Sequence, residues 1–208
     1  SNGVIYITTK TGADTEGWGV SVNTNTVFEN PLRLPKFQNE YGNGGYGKYS
    51  YYNGSTYTGA YYDAFGENWG PRMDGTPIKQ WNSNGEAVPF VGHPDNMKNF
   101  FQTGVTSTNN VALTHADENG DFRFSGTQLN RVGLVPNTDL NRTTLQTSVG
   151  KKLFNNRLEF RANAMYVGSG SSNVPNAGYD ENSSVMYSYL WLPRNVAIDD
   201  LRDYWKPG

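Results

Sequence analysis

The chain has no cysteine, which removes disulfide bridges, thiolate metal sites and thiol nucleophiles from its chemistry. Histidine is nearly as scarce: His93 lies in a proline-rich stretch and His115 near the end of an alternating run, and neither has a partner at zinc-ligand spacing. Apolar residues make up only 36% of the chain, below the near-half share of an ordinary globular domain. No run of about 18 apolar residues offers a transmembrane helix, and nothing at the start reads as a signal peptide. The net charge of −2 leaves no basic footprint for nucleic acid. No nucleophile, base and orienting group stand at usable spacing, so an enzyme is not expected. Asp117-Glu118-Asn119-Gly120-Asp121 superficially resembles a calcium loop, but its glycine is misplaced and Gln128 stands where a bidentate glutamate is needed. A solvated turn is the better reading. Asp199, Asp200 and Asp203 read as the acidic start of a short helix over Ile198–Trp205, balancing its dipole rather than forming a catalytic pair.

What the chain does have is alternation, glycine and aromatic rings. In Arg157–Val167, Leu158, Phe160, Ala162, Ala164 and Tyr166 share one side, and Arg157, Glu159, Arg161 and Asn163 the other. Only a strand produces that period of two. Leu145, Thr147 and Val149, then Phe122 and Phe124, then Val111 and Leu113, repeat the theme in the preceding segments. Trp18, Val20, Val22, Thr24, Thr26 and Phe28 form another such face. Strands are therefore expected at 17–28, roughly 103–115, 121–132, 140–153 and 157–167. Short polar turns at 117–121 and 154–156 alternate with a longer connection at 130–139, the up-and-down pattern of a barrel. The Asn119-Gly120 pair suggests a tight hairpin with two positive φ angles. A transmembrane barrel needs apolar residues on its outward face alone, so the low apolar share is compatible with one. Trp18 and Phe28 stand ten residues apart, about one hydrocarbon thickness along a tilted strand, and are candidate girdle aromatics. Residues 29–102, with six prolines and eight tyrosines between Tyr41 and Tyr62, break all periodicity and read as a long loop. Barrels of this class place such loops outside the cell.

SNGVIYITTKTG at 1–12 resembles the end of the plug domain in TonB-dependent outer-membrane transporters of the SusC/RagA family. GENWGPRMDGTPIKQW (66–81), PDNMKNFFQTGVTSTNNVAL (94–113), GLVPNTDLNRTTL (133–145) and MYSYLWLPRNVAIDDLRDYW (186–205) extend the resemblance over essentially the whole chain. It implies an all-β fold, part of a transmembrane antiparallel β-barrel preceded by the last strand of an N-terminal plug. Residues 1–12 would end the plug and 13–208 would form the first part of the barrel, with 29–102 a long extracellular loop, 103–167 strands and 168–208 an extracellular loop region. It further implies TonB-driven import of oligosaccharides or peptides across the outer membrane. The implied partners are a SusD-like surface lipoprotein acting as a lid, TonB itself through a segment before Ser1, and outer-membrane lipid; no cofactor is implied. On this reading the 208 residues are one section of a longer wall.

For ligand contact, the aromatics of the long loop are the candidates: Tyr49, Tyr52, Tyr57, Trp69 and Trp81. Their flat faces and polar edges suit sugar rings or peptide side chains, and they suit packing within the loop equally well. Arg123, Arg142, Glu159 and Arg161 fall on the polar side of their strands, where a barrel keeps its lumen. A non-transporting surface barrel or adhesin is the alternative, and residues 1–12 discriminate, because an adhesin strand has no need of a plug-end motif.

Overall fold

The structure, a computed structural model, describes residues 3, 10–14, 16–50, 67–80, 82–83, 85–176 and 184–201. The chain forms two compact units, one of residues 1–29 with 103–174 and the other of 30–102 with 175–208. Of the plug-end strand expected within residues 1–12, residues 1–2 and 4–9 lie outside the described residues.

The first unit is a five-stranded antiparallel sheet in sequential order. Its strands are β1 (Gly17–Glu29), β2 (Gly104–Asp117), β3 (Gly120–Val132), β4 (Asp139–Leu153) and β5 (Leu158–Ser172). Each is longer than its expected span. The last runs five residues past Val167, into what reads from the sequence as loop, because the ladder from Asp139↔Ser172 to Leu153↔Leu158 is unbroken. Gly168 and Gly170 weaken the hydrophobic signal there without breaking the backbone pairing.

The tight hairpin between β2 and β3 differs from the expected one. Its two loop residues are Glu118 and Asn119, since Asp117 already pairs with Gly120, and Asn119 does not take a positive φ. Asp117 Oδ1 instead accepts from the Asn119 and Gly120 amides at 2.8 and 3.0 Å. The aspartate turn supplies the closure that a left-handed Asn-Gly pair would otherwise provide. Between β4 and β5 the chain does turn left-handed, with Phe154, Asn155 and Asn156 at φ of 53°, 53° and 66° in succession. At the opposite rim, the 133–138 connection is closed by Gly133 N donating to Thr138 O and by Thr138 Oγ1 donating to Val135 O.

The second unit revises the reading of 29–102 as one irregular excursion. Among its described residues are two small antiparallel ladders, Gly44–Gly45 with Lys48–Tyr49 and Pro77–Lys79 with Ala87–Pro89, and two short helices, α1 (Asn96–Phe100) and α2 (Val185–Trp191). Ser184 caps α2 by accepting from the Tyr187 amide, and the helix stops at Leu192, extended before Pro193. Met97, Tyr189 and Ile198 form a core joined by Leu34, Phe37, Phe100, Phe101, Val185 and Leu192. The short helix expected over Ile198–Trp205 is a 3-10 turn at Ile198–Leu201, and its remainder lies outside the described residues. Residues 193–198 are the hub. Asn195 Oδ1 accepts from Asn43 N and its amide donates to Gln80 Oε1, while Asn96 pairs with Val196 O and Ile198 N. Buried asparagine side chains thus satisfy backbone groups that no regular ladder reaches.

Candidate functional site

Register decides what the sheet presents. Residues directly opposite one another in an antiparallel pair share a face, so Trp18, His115, Phe122, Val149 and Ala162 stand in one row. Val20, Leu113, Phe124, Thr147 and Ala164 form the next, followed by Val22, Val111, Gly126, Leu145 and Tyr166. Leu153, Leu158 and Phe160 extend this apolar face toward the short turns. Its only strand charges, Asp117, Asp139 and Lys151, sit at or near strand ends.

On the three central strands this apolar face is the more exposed one, with Val111 53% and Phe124 48% exposed, while along the end strands β1 and β5 side chains of both faces are exposed. On the opposite face, the small polar or short side chains of the central strands are covered: Ala112 and Ser148 are each 1% exposed, and Thr114 and Ser125 are also buried. A sheet folded in water does the reverse, burying its apolar side. Trp18, His115 and Phe122 pack as an aromatic cluster at the turn rim, with ring centroids 4.7 to 6.2 Å apart.

The apolar patch also slants. Its turn-side edge is Trp18 on β1 and Leu158 on β5, whereas the row of Trp18 meets β5 at Ala162, so the edge falls four residues over four strand steps. The far edge, Phe28 on β1 and Tyr166 on β5, falls six residues from the row of Phe28, which meets β5 at Ser172. A drift of about 1 to 1.5 residues per step, at ~3.3 Å rise and ~4.8 Å spacing, inclines the strands by about 35–45° from the normal to the band, a range also found for strands of transmembrane barrels in general. Within the band, several polar side chains of β1 to β4 pair with one another. Thr24 donates to Asn109 at 2.7 Å, Asn109 to Ser107 at 3.2 Å, and Thr143 to Gln128 at 2.6 Å.

The polar face carries Glu29, Asp121, Arg123, Arg131, Arg142, Lys152, Glu159 and Arg161. The sequence placed four of these there; pairing register adds how they meet. Asp121, Gly150 and Arg161 form one row, and the missing side chain of Gly150 lets Arg161 reach Asp121 with two bonds of 2.8 and 3.1 Å across three strands. A Cβ on Gly150 would lie 2.4 Å from Asp121 Oδ1. Arg131 pairs with Glu29 on the same face, at 3.3 Å. Val27, Ala112, Ala116, Leu129, Leu140, Met165 and Val167 are the apolar exceptions on this face.

Of the loop aromatics, Tyr49 and Trp69 are described and Tyr52, Tyr57 and Trp81 lie outside the described residues. Tyr49 and Trp69 flank the same tight ladder, with Gly47 N donating to Trp69 O and Trp69 N to Gly44 O. Tyr49 is half-buried edge-on against the fully buried Phe90, at 5.3 Å, so part of its ring is used in packing. Trp69 is 75% exposed. Sequence reasoning passed over Arg194, which is buried beneath Phe37 and donates to the Tyr189 and Leu192 carbonyls; burial holds its pKa below the usual arginine range. Asp74 is held below the usual carboxylate range, first by the Thr76 hydroxyl and then by the Thr76 amide.

No protein-family model matches the chain, and no curated protein is similar to it at a significant level.

Proposed function

We propose that this chain is part of the wall of an outer-membrane β-barrel that imports oligosaccharides or peptides. The observation that carries the reading is the inverted sheet, with aromatic and aliphatic side chains outward on the exposed face and charges on the other. Lipid is the solvent in which that arrangement is stable, because a wall spanning the bilayer turns apolar groups outward and keeps polar ones within. The slant of the apolar band, the aromatic row at the rim and the two short turns opposite the longer connections support the same reading.

Transport rather than adhesion is favoured by residues 1–12, whose resemblance is to the end of a plug. On that reading the polar face lines the lumen, TonB acts through chain preceding Ser1, and a SusD-like lipoprotein closes over the loops, where Trp69, exposed, is offered to a ligand or the lid. The test uses the full-length protein in its native outer membrane, with uptake of fluorescent oligosaccharides and peptides measured with and without a protonophore. Uptake that needs both the intact gene and the proton gradient supports import. Surface binding that is indifferent to the protonophore, with no internalised probe in either series, supports the adhesin.

A further inference from the structure

The segment before β1 does not simply lead into the sheet; it lies on it. Gly12 is buried over the polar face, and a Cβ there would stand 2.2 Å from Phe122 O and 3.0 Å from His115 O. Only a residue without a side chain approaches two neighbouring strands so closely. Its amide donates to Asp121 Oδ2 at 3.1 Å. The same carboxylate receives both bonds from Arg161, which also reaches Glu159 at 3.4 Å. The Asp121 side chain is 7% exposed. One carboxylate therefore joins the 10–14 segment, β3 and, across Gly150, β5.

We infer that Asp121 and Arg161 form a tether that pins the chain at Gly12 to the polar face of the sheet. A carboxylate oriented by a bidentate arginine is a strong and fixed acceptor, so the amide it holds is the point at which motion of the preceding chain stops. Thr11 helps on the upstream side, its hydroxyl accepting from the Ala13 amide at 3.3 Å and shaping the bend. The tether goes beyond the import reading and stands without it. Under that reading it has one mechanical consequence, that displacement of the chain before Gly12 ends there instead of peeling β1 from β2.

Hydrogen–deuterium exchange on the full-length protein, in detergent or outer-membrane vesicles, tests it. In Asp121→Ala, amides of residues 10–14 should exchange about tenfold faster or more, the loss of one hydrogen bond to a charged group, while peptides from β2 to β4 keep their protection. Asp121→Asn retains an acceptor without the charge and should fall between Asp121→Ala and the wild type. Gly12→Ala, which leaves the carboxylate intact, should reproduce the loosening through the clash with Phe122 O. Unchanged exchange at 10–14 in both alanine variants would overturn the tether, and so would a rise spread equally over β2 to β4, which would make Asp121 a general stabiliser of the sheet. Neither result depends on whether anything is imported.

Discussion

Single residues in this chain act mostly through the backbone conformation or reach that they permit. The β4–β5 turn needs three left-handed residues in a row, and Asn is tolerated there better than other side chains. Asn156→Ala should cost about 1 kcal/mol, and Asn156→Gly should cost nothing. Urea unfolding of the refolded full-length protein would show the difference, and equal midpoints for the two variants would contradict it. Thr76 offers a second case. Its hydroxyl and amide both donate to Asp74 Oδ1, at 2.7 and 3.0 Å, and favour the ionised form. A carboxyl with a lowered folded pKa contributes stability above its unfolded value and loses it as pH falls through the folded one. Thr76→Val should therefore raise the Asp74 titration midpoint toward the ordinary carboxylate range, as read by NMR, and a midpoint that stays put would show that the amide alone sets it. The candidate residues of the long loop were legible only as a class of aromatic side chains. Tyr49 and Trp69 look alike in sequence, and tertiary packing against Phe90 is what separates a half-buried ring from an exposed one.

At the scale of strands, alternation was enough to find all five and to sort their faces, because a period of two survives whatever the sheet is packed against. Strand ends were less legible: the glycines after Val167 hide a ladder that only hydrogen bonding reveals. The proposed membrane face makes a direct prediction here. Ala162 stands in the apolar row of Trp18 and Phe122, whereas Asn163 stands opposite Ser148 on the polar face. Ala162→Arg in the full-length protein should hinder assembly by about 2–4 kcal/mol, the cost of a cation near the bilayer midplane. Asn163→Arg should be much milder. Equal losses, read as folded fraction by heat-modifiable migration, would remove the face assignment. The two rims differ as well. A cysteine at Leu32, 95% exposed and three residues past the end of β1, should react with an impermeant maleimide on intact cells. One at Asn119, in the short turn beside the other end of β1, should not, and the opposite pattern would invert the wall.

At the scale of the whole molecule, the sheet is open. Its order runs from β1 to β5 without a return, so the outer edges of both end strands have no strand partner among the described residues. In lipid each unpaired backbone group costs several kcal/mol, and the smallest closed outer-membrane barrels have about eight strands. Residues 1–208 expressed alone with an export signal should therefore aggregate or be degraded, without the heat-modifiable migration of a closed barrel. A protease-resistant, membrane-inserted monomer of this segment would refute the wall reading. The sequence by itself determined that the chain is built of antiparallel strands with one apolar and one polar side, since side-chain alternation is a local property of the extended backbone. Only the tertiary structure decided which side is exposed, how far the apolar band slants, and that Asp121 meets Arg161 across Gly150. These depend on register between residues far apart in the chain, 85 positions between Thr24 and Asn109 and 40 between Asp121 and Arg161, and local alternation carries no information about which rows of different strands come to lie side by side.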